Sequence, residues 1–343
     1  MATIRKCRDD YTVGWIAALP IEQAAATAML DEEHSWPEGF SKPPHDSNSY
    51  AWGRIKDKNV VIAILPAGTT GKVSAATTAN QLLAAFPQVR IGLMVGIGGG
   101  VPRPDDDVDI RLGDIVVSQP SGTHGGVVQY DLGKAKVGGA FERKGYLSAP
   151  PRTLLTALAK IQGQHERYPS SVPQILAEML EKNPRMRSKT AGYTYQGKEN
   201  DRLFQASYAH IGARTCKDCD PTEEVRRDGR VATDPHIHYG IIASGDIVVK
   251  DAAFRDSVLD EVGDDCKCVE MEAAGLISDF PCIVIRGISD YADSHKNDRW
   301  HRYAAATAAA YAKELLGIIE GEDLKRETRA MNIMQNSTLD HST

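Results

Sequence analysis

The sequence is short of several things, and each shortage removes a class of protein. Six cysteines in 343 residues are too sparse for a disulfide-stapled secreted scaffold, so a reduced, cytoplasmic compartment is expected. No stretch reaches the ~18 apolar residues that a membrane-spanning helix needs. Residues 1–10 are charged and lack the apolar core of a secretory signal. Positive charge is not in excess: 40 Lys and Arg stand against 46 Asp and Glu, a net charge of −6. General attraction to nucleic acid or to an anionic membrane is therefore not expected. No internal repeat is present.

What is present suits one large α/β domain or two small ones, with 42% hydrophobic residues over this length. The run at 11–19 is apolar and reads as a buried strand. Pro20 then suits the first turn of a helix, which places Glu22 at a helix N-terminus beyond a strand end. Ligands of open α/β sheets bind at such junctions. After a polar loop at 34–49, strands at 50–56 and 60–65 flank a turn. A small-residue helix follows at 73–86, then strands at 91–95 and 114–119. Residues 150–235 lack this strand–glycine–helix rhythm and read as an insertion, with helices at 151–163, 172–182 and 200–210. The rhythm returns with a strand at 239–243, helices near 251 and at 270–279, a strand at 282–286 and an Ala-rich helix at 303–319. The ends, 1–10 and 321–343, are polar and expected to be disordered.

Five constellations carry possible chemistry. Glu270, Met271 and Glu272 would place two carboxylates at a helix start, suited to gripping a sugar diol around a soft apolar contact; alone, they are equally ordinary first-turn acids. Asp290 follows a buried strand directly, where a carboxylic acid can donate a proton or merely cap a turn. The glycine loops at 68–72 and 96–100 require close backbone approach but match neither the Walker nor the dinucleotide spacing. Cys216 and Cys219 with His236 and His238 lack a zinc-finger spacing and read as loop cysteines and surface histidines. Asp105, Asp106, Asp107 and Asp109 lack the EF-hand glycine and read as a solvated loop. No metal or cofactor is called for.

Taken in order, GWIAALPIEQAA, AGTTGKVSAATTANQLL, VGIGGGV, RLGDIVVS, IIASGDIVV, VEMEAAG and VIRGISDYAD resemble one family. It is the nucleoside phosphorylase/nucleosidase superfamily, and most closely its methylthioadenosine/S-adenosylhomocysteine nucleosidase-like branch. The resemblance covers roughly 11–130 and 238–320; the insertion looks like that of eukaryotic, stand-alone or signalling-associated members. It implies a three-layer α/β domain over 11–320, its mixed twisted sheet partly closed into a barrel and flanked by helices. It also implies roles. Asp290 matches the acid that protonates the purine, Glu272 the carboxylate on the ribose hydroxyls, and Glu22 the residue that polarises the attacking water. Met271 and Glu270 match neighbours of the ribose. Ser244 and Asp246 match the segment near the base, as Ile97 and Gly98 match the glycine strand. A homodimer and a small-molecule purine nucleoside or nucleotide are the implied partners.

Phosphorylases of this family hold phosphate with arginines at places that here carry Glu22 and Met94, and with a hydroxyl where Ile97 stands. A phosphate dianion beside Glu22 would be repelled, so water is the expected nucleophile and a purine nucleosidase the expected enzyme. A phosphorylase and a non-catalytic nucleoside sensor are the competing readings. Val248 stands where the family's purine-stacking aromatic is expected. Lys72, Arg103, His124, Arg143, Lys144, Lys250 and Arg302 are candidate cations for a phosphorylated 5′ side, as in ATP.

Overall fold

The structure is a computed structural model describing residues 6–137, 141–188, 192–212 and 215–340. The expected tails at 1–5 and 341–343 lie outside the described residues. β1 (Val13–Ala17) is buried along its whole length. Pro20 opens α1 (Pro20–Ala28), where its missing N–H costs nothing. β2 (Glu32–Glu33) is short; β3 (Ser49–Ile55) and β4 (Lys58–Ile64) form a hairpin that turns at Lys56 and Asp57. α2 (Lys72–Ala85) starts after Gly71, held at φ 90°, where a Cβ would lie 2.7 Å from the Asp246 carboxylate. Then come β5 (Ile91–Gly100), β6 (Ile115–Ser118), β7 (Val127–Gln129) and a small hairpin, β8 (Gly133–Ala135) with β9 (Phe141–Arg143). α3 (Arg152–His165) and α4 (Val172–Lys182) come from the insertion and send Leu154, Leu158, Ile161, Leu176 and Met179 into the main core. β10 (Ile237–Ser244), α5 (Ala252–Val262), β11 (Cys266–Glu270), β12 (Cys282–Asp290) and α6 (His301–Ile318) complete the fold, with α7 (Gly321–Arg326) and α8 (Ala330–Asp340) behind them.

The main sheet runs β11-β10-β6-β12-β5-β1-β4-β3-β2, with β7 on β10. It also closes on itself. The end of β5 pairs antiparallel with β11, Gly99 against Val269 and Gly100 against Cys268. β5, β12, β6, β10 and β11 thus form a ring, and β1 and β4 extend from it as an open wing. The mixed, partly barrel-closed α/β sheet expected from the resemblance is what the chain forms.

β5 explains its own glycines. Its first half lies parallel to β1 and β12 and is wholly apolar; its second half bends to meet β11. A Cβ on Gly98 would lie 2.5 Å from the Cys268 sulfur, and one on Gly99 2.8 Å from the Ala292 Cβ. Small residues also let α6 lie on β12: a Cβ on Gly287 would lie 1.8 Å from the Ala304 carbonyl oxygen. Both sides of that contact are backbone, so neither yields cheaply. Gly287→Ala is expected to destabilise the fold by ~1–3 kcal/mol or more, as overpacking does. Urea denaturation checks it; a midpoint equal to that of the parent would disprove the close approach.

Three sequence expectations are corrected. There is no helix at 270–279: β11 runs to Glu270, and a single 3-10 turn spans Ala273–Gly275. The Glu270 carboxylate accepts the Glu272 and Ala273 N–H groups at 3.1 Å, and such local bonds compete with helix formation. There is no helix at 200–210 either; Leu203 and Phe204 are buried, and Phe204 bridges Glu224. Finally, residues after Gly321 are not a loose tail. Leu324 and Ala330 are buried, and the Ala330 N–H donates to the Val89 carbonyl at 2.9 Å. At the other end Cys7 bridges Glu38. Among the described residues no helix is long and apolar enough to cross a membrane.

Candidate active site

The ends of β1, β5, β11 and β12 converge on a cavity of about 180 Å³. Its wall includes Glu22, Ile97, Gly98, Val248, Glu270, Met271, Glu272 and Asp290, eight of the ten residues singled out from sequence. Ser244 and Asp246 are not on that wall. Ser244 is buried behind it, its Oγ accepting the Ala274 N–H at 2.9 Å. Asp246 faces away, taking the Lys72 N–H at 3.0 Å and its ammonium at 3.3 Å.

A larger cavity, about 810 Å³, lies under the insertion beside Asp114. Its most buried charges are paired with one another. Arg230 pairs with Asp114 at 2.7 Å, and Arg227 with Asp201 at 3.2 Å. Size therefore does not pick out the chemistry here; the convergence of buried carboxylates on the smaller cavity does.

Glu22 sits in the first turn of α1, at the third helical position, and folds back on the strand–helix junction. One carboxylate oxygen accepts the N–H groups of Ala18 and Leu19 at 2.8 and 2.9 Å; the other accepts that of Ile97 at 2.8 Å. Gly96 makes room for it, since a Cβ there would lie 2.5 Å from Glu22 Oε1. Burial raises the Glu22 pKa, opposed by Arg286 and by those three amides.

Arg286 is the residue that the sequence reading passed over. It lies in the middle of β12, fully buried, and its Nη2 pairs with Glu270 and, at 3.4 Å, with Glu272. Its Nη1 reaches toward the Ile97 carbonyl at 3.4 Å. Burial works against its charge, yet Glu270, Glu272 and Glu22 hold its pKa above the ordinary value. Glu272 is pushed up to about 7, first by burial and then by Glu270 and Glu22, against the pull of Arg286. Its Oε1 also accepts the Gly71 N–H at 3.3 Å, which ties the cavity to the start of α2.

Asp290 is the last residue of β12, not the first residue beyond a strand. Its Oδ1 accepts the Ala292 N–H at 3.0 Å; its Oδ2 takes the Ser289 hydroxyl at 2.7 Å and the Lys296 ammonium at 3.1 Å. Lys296 and His301 also line the cavity, and neither was singled out from sequence. The His301 Nε2 is buried without a hydrogen bond, 3.6 Å from the Asp298 carboxylate. Burial holds this imidazole below its ordinary pKa, so the neutral form is favoured. The cations proposed from sequence do not reach the cavity wall. Lys72 is held by Asp131 at 2.7 Å and Arg103 by Asp106 at 3.5 Å, while Arg143 and Lys144 line a separate cleft with His124. Lys250 is exposed, and Arg302 approaches Gly192. Of the remaining candidates, His238 pairs with Asp114 at 2.9 Å rather than with a cysteine, and Asp105, Asp106 and Asp107 are exposed.

Known proteins carry the same architecture. Against solved structures, the chain superposes on a Borrelia burgdorferi protein described as a putative methylthioadenosine/S-adenosylhomocysteine nucleosidase bound to adenine, with TM-score 0.57 and 17% identity, covering 90% of this chain and 100% of that one. It also matches Helicobacter pylori futalosine hydrolase, with TM-score 0.55, 17% identity and coverage of 90% and 98%. In sequence it is 44% identical over 317 residues to a nucleotide-binding leucine-rich repeat (NLR)-like protein of Hyaloscypha variabilis, covering 92% of this chain and 30% of that protein. It is 24% identical over 313 residues to the Escherichia coli ATP nucleosidase Cap17, covering 88% of this chain and 50% of that protein. The chain thus spans 30% to 50% of the length of these two sequence relatives. The sequence profile of the phosphorylase superfamily matches residues 12–320, nearly the whole of the folded chain, and the protein belongs to that superfamily.

Proposed function

We propose that this chain is an N-ribosyl hydrolase that cleaves the N-glycosidic bond of a purine, most simply adenine, nucleoside or nucleotide. The observation that carries the choice of water over phosphate is the Glu22 carboxylate. Three backbone N–H groups converge at the cavity floor, the kind of cradle that binds phosphate. Glu22 already accepts all three, so an internal anion fills the place an inorganic one would take. Arg286, the nearby cation, is committed to Glu270 and Glu272. A carboxylate raised in pKa by burial is also a better base toward water.

In this reading the ribose lies over Met271, with Glu272 accepting its hydroxyls and Asp290 protonating the leaving base. Protonation improves the leaving group, and the carboxylates stabilise positive charge that develops on the sugar. Glu270 and Arg286 hold Glu272 in place. Ser244 and Asp246, off the cavity wall, act as supports for the Ala273–Gly275 turn and α2 rather than as base contacts. With Val248 in place of a stacking aromatic, the base rests on aliphatic surface from Ile247 to Val249.

A nucleotide is the second reading, favoured by Lys296 and His301 in the wall and by the likeness to a protein named an ATP nucleosidase. The cavity is smaller than the ~300–1,000 Å³ usual for ligand sites, so phosphates would extend from its mouth.

Chromatography of products from adenosine, methylthioadenosine and ATP, with and without phosphate, tests the proposal. Free base plus ribose, or ribose phosphates from ATP, is expected irrespective of phosphate. Ribose 1-phosphate formed only when phosphate is added would overturn it. Glu22→Gln is expected to lower kcat by ~10²-fold or more while substrate affinity changes little. Equal losses in both would make Glu22 a binding residue. The rate should also follow the ionisation of Glu272. Because its pKa is raised to about 7, kcat/KM should fall as pH drops through that region, where its protonated form is a poorer acceptor. In Glu272→Gln this acid limb should disappear; an unchanged limb would assign it to another group.

A further inference from the structure

We propose that the chain binds a zinc ion through His210, Cys216 and Cys219, with His295 as the fourth ligand. This site lies outside the catalytic cavity and does not depend on the hydrolase reading. The ligand atoms of His210, Cys216 and Cys219 all lie within 4.8 Å of one another. Around a tetrahedral zinc, ligand atoms are about 3.5 Å apart, given bonds of ~2.0–2.3 Å, so small adjustments suffice for these three side chains, and His295, outside that group, has further to swing in. Two thiols and an imidazole are a soft donor set that favours zinc over magnesium or calcium. Both cysteines are free thiols, Cys219 buried and Cys216 partly so. The histidines weighed with these cysteines from sequence, and set aside as surface residues, were His236 and His238. Those two sit at the start of β10 against Asp114.

His295 supplies the second, independent observation. It is 6% exposed, and its Nε2 is buried without a hydrogen-bond partner. Its ring centroid is 5.4 Å from that of His210, and its carbonyl lies 3.6 Å from the Cys216 sulfur. Its Nδ1 faces the Asp293 carboxylate at 3.7 Å. A histidine with one nitrogen against a carboxylate and the other bare is the arrangement that orients a metal ligand. Stacking on Phe204 at 4.1 Å fixes the ring plane. The cysteine backbone is fixed as well, since the Arg202 guanidinium donates to the carbonyls of Cys216 and Cys219.

The ion would pin the insertion to the loop that leaves Asp290. A cavity of about 370 Å³ has Cys216, Lys217, Asp290, Asp293 and His295 in its lining. Zinc there would set the position of the loop carrying Lys296, and so the surroundings of Asp290.

The test is the metal content of the reduced, purified chain by plasma mass spectrometry, beside the spectrum of the cobalt(II)-loaded chain. One zinc per chain is expected, and cobalt should give tetrahedral bands with thiolate charge transfer. The Cys216→Ser/Cys219→Ser double variant and His210→Ala should lose both signals, and His295→Ala should bind at least tenfold more weakly. The cobalt spectrum of the unaltered chain decides the matter even if a variant fails to fold. Absence of zinc together with a featureless cobalt spectrum would overturn the proposal. So would full zinc retention by the double variant, or a Cys216–Cys219 disulfide forming in preference to metal binding.

Discussion

Asp290→Asn should lower kcat by ~10²–10⁴-fold, the usual contribution of a positioned proton donor, and leave the melting temperature within a few degrees. Asparagine keeps an oxygen for the Ala292 N–H, accepted now by Oδ1 at 3.0 Å, and its amide NH2 can donate to the Ser289 hydroxyl, which now donates to Oδ2 at 2.7 Å. What it lacks is a proton to give and a charge to hold Lys296 at 3.1 Å. The turn is therefore preserved and the chemistry removed. Turnover by product chromatography and a thermal melt check the two halves separately. Activity within a few-fold of the parent would end the assignment of Asp290 as the acid. A collapsed melt would make it a structural residue instead.

Arg286→Met should destabilise the fold by ~3–5 kcal/mol, the cost of stripping one partner from a buried ion cluster. The methionine fills much of the volume, so the loss comes from charge. Glu270, Glu272 and Glu22 would remain buried without their shared cation. The pKa values of Glu22 and Glu272, already raised in the folded state, would then rise further above those in the unfolded chain. Groups shifted that way favour folding below the unfolded pKa and lose that contribution as pH rises through the folded one. The variant's deficit should therefore shrink in mild acid and be largest near neutrality. Urea melts at several pH values measure this. A deficit within the ~0.5 kcal/mol of an ordinary surface change, flat with pH, would show that Arg286 does not balance the cluster.

The fold was legible where elements are long and their periodicity is simple. β1, the β3–β4 hairpin, α2, α3, α4 and α6 fall within a few residues of their sequence-based positions. It was not legible where side chains override local preference. Residues 270–279 contain good helix formers, yet Glu270 ties down the next amides and pairing with β10 and β5 extends β11 instead. The segment after Gly321 looks polar because only a few of its residues, Leu324 and Ala330 among them, turn inward. Of the cavity, the carboxylates were readable because motif order picks them out. Arg286 was hidden inside an apolar strand, although a lone cation in the run CIVIRGISD was itself a signal of a buried partner. Lys296 and His301 follow no spacing rule; the loop after β12 brings them round to Asp290. His210 and His295 are 85 residues apart in the chain, and only the packing of the insertion on that loop makes them neighbours.

The amides of Ala18, Leu19 and Ile97 have a further consequence. They belong to the backbone of the β1–α1 junction and of β5, so they persist whatever side chain stands at position 22. Under the proposed hydrolase reading, the nucleophile is chosen by a plug rather than by the scaffold. One side chain stops the socket, and the same backbone with that side chain shortened would present an open receptacle for an oxyanion. Divergence between water-using and phosphate-using members of such a fold then needs no change of architecture, only the insertion or withdrawal of a single stopper.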